Sequence, residues 1–460
     1  MMYTNSMHLS KALRLKGVLV AVLTATFVSQ SSSVLAAALS LEQAQQLAIS
    51  EDPNLKGNTY RQQALKSEQY ASAYWANPQL STSIQNLPTD GFSLDQEPMT
   101  QFKVGIKQQL PRGDVNALNY QKLAVMTRQV DTQSAARLAS LKKTVSLIWL
   151  DWYYANERLA LLKQEDQLLK QLMDVTESRY SQGLGKSQQS DILQVRLAQL
   201  TLEDKYTKAH QAMLEARAAL SEFYGAPLSS DMTPDNLALG ALLYGYTLDL
   251  SDLYRVVSDS EPFSLLQQHP EARGLQLQSD AQAKQVDIAR EQTKPQWSVD
   301  ASYGYRQDAQ NGASRADFVS LGVQVDLPYF TRPKQDADVA AAVSRVNALK
   351  TDFRLKVNQL ASQAQMLKVR LASLSQRKAL YENGLTNEVE GLAQTLLSAY
   401  TADTANFSEV VQAHLRQIQV QDSLLAIHVE EAKTLASLIY LYAPSLEASN
   451  HNATELNHEY

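Results

Sequence analysis

The sequence predicts a mainly helical protein that carries a membrane β-barrel, with long coiled-coil helical hairpins joined to four β-strands per chain. Three observations lead there. The chain opens with an export signal; it is built from two copies of one unit; and each copy sets two amphipathic strands ahead of a stretch of more than a hundred residues without proline.

Composition limits the architecture. The 460 residues are 44% apolar, enough for a large core, yet Gly (16) and Pro (13) are scarce, where average usage would give roughly 32 and 23. Few turns mean few, long elements. The net charge of -6 offers no basic field, which excludes nucleic acid as a partner.

At the N-terminus, Lys11, Arg14 and Lys16 precede an apolar run from Gly17 to Val28, and "SVLAAA" supplies small residues for cleavage near Ala36 or Ala38. The run is too short for a membrane span, because a dozen helical residues reach only about 18 Å against a hydrocarbon core of roughly 30 Å. Residues 1–38 are therefore read as a signal peptide, with a buried N-terminal helix as the competing reading. Cysteine is absent, so no lipid anchor can be built on one, and contact with a membrane falls to the strands.

The two copies are related by a constant offset. Pro53 and Pro270, Pro78 and Pro295, and Pro111 and Pro328 are each separated by 217 residues, and so are Ala64 and Ala281, Gln79 and Gln296, Ser81 and Ser298, and Gly105 and Gly322. The entry "LSLEQAQQLAI" from Leu39 is echoed by "LDLSDLYRVV" from Leu248.

Within each copy the hydrophobic period changes from two to about three and a half. Leu80, Thr82 and Ile84 alternate with Ser81, Ser83 and Gln85, and Phe102, Val104 and Ile106 with Lys103, Gly105 and Lys107. Trp297, Val299, Ala301, Tyr303 and Tyr305, then Val319, Leu321, Val323 and Val325, repeat the pattern. Strands of about ten residues with one apolar and one polar face suit a barrel with lipid outside and water inside. An ordinary half-buried sheet is the bland reading for any one of them. Four strands cannot close, since the smallest barrels have about eight, and an open edge in lipid leaves backbone groups unpaired. A barrel here requires several chains.

The remainder is helical. Leu138, Leu141, Val145, Ile148, Trp152, Ala155, Leu159 and Leu162 advance in threes and fours, as do Phe353, Val357, Leu360, Ala364, Leu367, Leu371 and Leu374. These are heptad seams. A helix from about Asp114 to Tyr180 would be about 100 Å long. It turns back at "YSQGLGKSQQSD" (Tyr180 to Asp191), and its counterpart turns at "YTADTANFSE" (Tyr400 to Glu409).

The signal peptide, "LSLEQAQQLAISEDPNL", the duplicated helix-strand-strand-hairpin unit and "DILQVRLAQLTLEDKYTKAHQAMLEARAALSEFYGAP" resemble the TolC-like outer-membrane factors of tripartite efflux systems over nearly the whole mature chain. "SQQSDILQ" leans towards the subfamily serving heavy-metal exporters. The resemblance implies a homotrimer whose twelve-stranded barrel crosses the outer membrane of a Gram-negative bacterium. A helical tube would cross the periplasm to a periplasmic adaptor and an inner-membrane pump of the RND type. It implies a conduit and not an enzyme, with no cofactor and no resident metal.

The resemblance also points to the hairpin turns as the periplasmic aperture, closed by carboxylates and side-chain links. Tyr180 and Asp191 match the first turn, and Tyr400 and Glu409 the second; Asp403 stands where glycine is usual. A ring of carboxylates in a narrow aqueous mouth attracts cations and repels anions. The competing reading of Asp191 and Glu409 is an acid placed at a helix N-terminus by the macrodipole.

The chain thus divides into a signal peptide (1–38), periplasmic helices of the first repeat (39–77), barrel strands one and two (78–111) and a first helical hairpin (112–226). An equatorial or linker segment (227–265) follows, then the helix of the second repeat (266–294), strands three and four (295–328), a second hairpin (329–443) and a polar C-terminal tail (444–460). No phosphate loop, nucleophile constellation or paired metal-spaced His is present; His210, His414 and His428 are scattered, and His451 and His458 lie in the tail. The rival to a conduit is a trimeric coiled-coil surface protein of the adhesin kind, which would place strands at a terminus and not midway.

Overall fold

A computed structural model describes residues 38–181, 189–246, 249–258, 262–402 and 404–456. The predicted signal peptide up to residue 37, the middle of the first turn and Asp403 lie outside the described residues.

The chain enters through a two-residue strand β1 (Ala38–Leu39) and helix α1 (Leu41–Glu51). Ser40 caps α1 in a reciprocal box: its hydroxyl accepts from the Gln43 amide at 3.2 Å, and its own amide donates to Gln43 Oε1 at 3.1 Å. Helix α2 (Pro53–Ser72) starts on Pro53 with Asp52 as its cap. Strands β2 (Gln79–Gln85) and β3 (Gln101–Gln109) follow, then the hairpin of α3 (Val115–Ser181) and α4 (Gln189–Tyr224). At 67 residues, α3 is about 100 Å long. Segment 227–265 holds a strand β4 (Thr233–Pro234), a 3₁₀ turn Leu239–Leu243, and helix α5 (Leu250–Ser258); α6 (Pro262–Gln267) leads out of it. The strand β4 pairs in parallel with β1.

The second copy then repeats the first in register. Helix α7 (Pro270–Glu291), β5 (Gln296–Tyr305), β6 (Phe318–Asp326) and α8 (Arg332–Leu380) begin 217 residues after α2, β2, β3 and α3. A five-residue π turn, Tyr381–Leu385, joins α8 to α9 (Thr386–Thr401), and α10 (Phe407–Leu456) returns.

The four long strands form one antiparallel sheet, ordered β2-β3-β5-β6. Phe102 lies opposite Tyr305, Val104 opposite Tyr303 and Ile106 opposite Ala301, so the apolar sets of the two copies share a face. In this chain β2 and β6 each pair on one side only.

The core lies where α3, α8 and α10 cross the entry segment. Trp149, Trp152, Val357, Leu360, Ala364, Leu435, Leu438 and Tyr442 belong to one buried cluster, joined by Leu242, Leu243 and Leu253 of segment 227–265. Burying a side chain of this size stabilises by about 1.5–3 kcal/mol, and Trp149 also donates Nε1–H to the Leu39 carbonyl at 3.0 Å. The heptads Val357, Leu360, Ala364, Leu371 and Leu374 would run on to Glu388 and Leu392, yet the buried residues there are Val389 and Ala393. One residue inserted by the π turn accounts for the shift. The long seam read from sequence is therefore two seams, one position out of phase.

Where the sequence predicts a polar tail from 444, α10 continues to Leu456 with Pro444 inside it. Proline has no N–H, so the Tyr440 carbonyl loses its helical donor. His269 supplies one: its Nε2 lies 3.1 Å from the Tyr440 oxygen, while its Nδ1 accepts from the Glu271 amide at 3.3 Å. A carbonyl only accepts, so Nε2 carries the proton and the ring is neutral. Burial pushes the His269 pKa below its ordinary 6.5, against the opposing pull of Glu271 and the Tyr440 carbonyl. Around it, Tyr440 Oη donates to Glu271 at 2.7 Å, Lys356 pairs with Glu271 at 3.1 Å, and Lys143 lies 4.0 Å above the Tyr440 ring. The residue 217 earlier is Asp52, which caps α2 and pairs with Arg137 at 2.6 Å.

A His269→Ala variant should lose about 1–3 kcal/mol for the orphaned carbonyl, seen as a lower thermal midpoint at pH 7.5. The unfolded chain protonates His269 near 6.5 while the folded ring resists. Its contribution is thus full above that pH and declines as pH falls towards the lowered folded value. The variant should show a flatter loss of stability between pH 6.5 and 5 than the parent; equal slopes would disprove the role.

Candidate channel-lining sheet, junction and hairpin tips

The sheet has two chemically distinct faces. One exposes Leu80, Phe102, Val299, Tyr303, Leu321 and Val323. The other carries Lys103 and Lys107, Ser298, Asp300 and Ser302, and Gln324, and on it Ser298 and Ser302 are buried. Both lie on β5, an inner strand with a neighbour on each side. Glycine makes the crowding possible, since a Cβ at Gly322 would lie 2.6 Å from Asp300 Oδ1 and one at Gly304 would collide with Gln101. Lys107 faces Asp300 across β3 and β5. An exposed apolar face and a polar, charged face are what a barrel wall between lipid and water needs.

Below the sheet, strands hand over to helices. The Leu110 amide makes a last ladder bond to the Trp297 carbonyl at 2.9 Å, and Pro111 ends the ladder. Arg112 then ties three segments together. It donates to the Gln292 carbonyl at 2.8 Å and to Gln296 Oε1 at 3.3 Å, and it pairs with the Asp326 carboxylate at the end of β6. Glu291 accepts from the Asp114 amide at 2.9 Å and pairs with Lys294 at 2.7 Å. Gly113 sits at φ +52° against that carboxylate, where a side chain would be strained and obstructed. A polar cavity of about 180 Å³ at this level is lined by Gln79, Lys107, Gln296, Gln324 and Asp326. The flanks of Pro111 and Pro328 are visible in sequence, but the clamp is not, because Arg112 and Asp326 are 214 residues apart and outside the repeat offset.

At the far end, the two hairpins pack against each other. Phe407 and Val411 of α10 share a buried cluster with Leu169 and Leu172 of α3 and Val195 of α4. Tyr180 falls in the last turn of α3 and Asp191 in the first turn of α4. Tyr400, in the last turn of α9, packs its ring 5.6 Å from Phe407 across the turn, so it staples the second hairpin. Glu409 is exposed in the first turn of α10 and accepts from Asn406 Nδ2 at 3.3 Å. Asp403 lies outside the described residues. Among the described residues, no group of three or more His, Asp and Glu is placed to hold a metal ion, and no helix is long and apolar enough to cross a membrane.

Arg112→Ala removes all three ties, whereas Asp326→Asn removes one that is mostly exposed on its acidic side. The arginine variant should cost about 1–3 kcal/mol locally, an increase of roughly 5- to 150-fold in amide exchange around 110–115. The aspartate variant should cost under about 1 kcal/mol. Equal exchange in parent and Arg112→Ala would show that the clamp carries no local stability.

No family model and no curated protein matches the sequence. Solved structures do match the fold. The outer-membrane channel OprN superposes with a TM-score of 0.71 at 15% identity, covering 88% of this chain and 89% of OprN. CusC, described for its transmembrane channel formation, gives 0.71 at 14% identity over 88% of this chain and 92% of its own. The outer membrane protein VceC of Vibrio cholerae gives 0.69 at 14% identity over 88% and 96%. The chain therefore has the TolC-like fold of these outer-membrane channels: long helical hairpins carrying a small sheet.

Proposed function

We propose that the protein is the outer-membrane conduit of a tripartite efflux system. One observation carries this reading: a four-stranded sheet with an exposed apolar face and two open edges continues into helical hairpins about 100 Å long. Three copies supply twelve strands and pair β6 of each chain with β2 of the next, leaving no backbone edge in lipid. The hairpins then form a periplasmic tube that meets a periplasmic adaptor and an inner-membrane pump of the RND type. The pump supplies energy and chooses the cargo, metal ions or small toxic molecules; this chain conducts and catalyses nothing. Residues 1–38 serve as the export signal.

The hairpin tips are the aperture in this reading. In a threefold assembly Asp191, Asp403 and Glu409 recur as rings of carboxylates, with Tyr180 and Tyr400 bracing the turns. Such rings select cations. The similarity to solved outer-membrane channels supports the conduit.

Two measurements test the proposal. In planar bilayers, Asp191→Asn with Glu409→Gln should reduce cation selectivity, moving the reversal potential in a salt gradient towards zero; an unchanged potential would remove these residues from the aperture. Deleting the gene should raise sensitivity to at least one class among metals, dyes, detergents and antibiotics, with return on complementation. A strain that kept full resistance throughout, or a protein soluble as a monomer without detergent, would sink the efflux reading.

A further inference from the structure

The polar face of the sheet carries its charges unevenly. Cross-strand pairing arranges that face in rows, and most of its charges are compensated within them. Lys107 lies opposite Asp300 and donates to Gln324 Oε1 at 2.5 Å. At the helix end, Asp326 pairs with Arg112. Lys103 is different. It stands between Ser83 on one side and Gly304 on the other, with Phe318 opposite Gly304. The next row towards the helices, Ser81, Gly105 and Ser302, brings no charge to it. Among the described residues, the half-buried Lys103 side chain has no ion pair and no hydrogen bond.

The charges further out do not cancel it. Arg306 lies with its guanidinium 3.9 Å from the centre of the Phe318 ring and donates to the Ala316 and Pro98 carbonyls at 2.7 and 3.1 Å. Asp317 sits beside that arginine, accepting from its amide at 2.9 Å, so this pair offsets itself. The loop carboxylates Asp90, Asp95, Glu97 and Asp308 lie beyond the strand ends. From Lys103 to Gln101, where β3 begins, is about 7 Å along the strand, close to one Debye length at physiological salt.

Dimensions decide whether one unpaired lysine per chain matters. Twelve strands about 4.8 Å apart and tilted by about 40° close a bore about 24 Å wide between backbones. A lysine stem reaches about 6 Å inward, which leaves each ammonium roughly 6 Å from the axis, within a Debye length of about 8 Å. We propose that Lys103 is the charge-selecting residue of the barrel bore: three copies form a ring of ammoniums that favours anionic solutes and opposes cations. Rings of lysine do this as rings of carboxylate do the reverse. The solutes drawn in are those bearing carboxylate, sulfonate or phosphate groups. With carboxylates at the hairpin tips, the two ends of the conduit carry opposite charge, and its current at low salt is larger in one direction. This inference rests on the barrel reading.

Single thiols separate the two ideas, because the chain has no cysteine of its own. Ser83→Cys places one opposite Lys103, and Leu321→Cys places one on the apolar face, where Leu321 is 82% exposed. The full-length protein in phospholipid vesicles is treated with an anionic and a cationic methanethiosulfonate of similar size. Ser83→Cys should react with both. Adding Lys103→Gln should lower the anionic-to-cationic rate ratio about fourfold at 0.1 M salt and about sevenfold at 0.01 M, as expected for one unit charge about 6 Å away in water; Lys103→Arg should keep the parent ratio. Steric changes act on both reagents alike, so the ratio reads charge. A ratio unmoved by Lys103→Gln would overturn the inference and leave the barrel standing. Leu321→Cys should be protected by lipid; fast reaction there, or none at Ser83→Cys, would remove the barrel itself. In planar bilayers, Lys103→Glu should shift the reversal potential towards cation selectivity, more at 0.01 M salt than at 1 M, and equal potentials in parent and variant at 0.01 M would also overturn the role of Lys103.

Discussion

A strand facing lipid has nowhere to send its backbone polar groups except to another strand. In this chain β3 and β5 are paired on both sides, while β2 and β6 each leave a full row of amides and carbonyls open. The exposed apolar face makes water an equally poor environment. On the proposed reading, both problems have one solution, the addition of identical copies around a closed ring.

Helices obey the same rule with different means. Two irregularities in the long hairpins are matched, one by a compensating donor and the other by a shift in packing. Pro444 deprives the Tyr440 carbonyl of its donor, and His269 replaces it from another helix. The π turn at Tyr381–Leu385 moves the seam by one position, and the buried set moves with it to Val389 and Ala393. The turn also places Glu382 3.0 Å from His428 on α10. Duplication did not preserve the chemistry of equivalent positions: Asp52 and His269 both cap a Pro-initiated helix, one with an arginine as partner and the other with a carbonyl. Burial raises the Asp52 carboxyl, but Arg137 and the Leu55 amide hold it below its ordinary 3.8.

Much of the fold was legible. Alternation in "QWSVDASYGY" and threes and fours in "FRLKVNQLASQAQML" are local signals, because one strand face or one helix stripe meets one environment over many residues. The tips were legible in part. Their turn residues identify where the chain reverses, and Glu409 is exposed in the first turn of α10. Tyr400 was not legible as a staple, since its partner Phe407 is recognisable only once the turn is closed. Nor was Arg112 legible as a clamp, because its carboxylate lies in the other copy and outside the repeat offset.

The sequence by itself determined the duplicated unit, the four amphipathic strands and the long helices, because periodicity and punctuation are written residue by residue. Tertiary structure decided the strand order β2-β3-β5-β6, the phase change at the π turn, the passage of α10 through Pro444 and the partners of Arg112 and His269. Each of these pairs groups from distant parts of the chain. A polar atom's partner is chosen by what packing brings within about 3 Å of it, and local sequence carries no record of that.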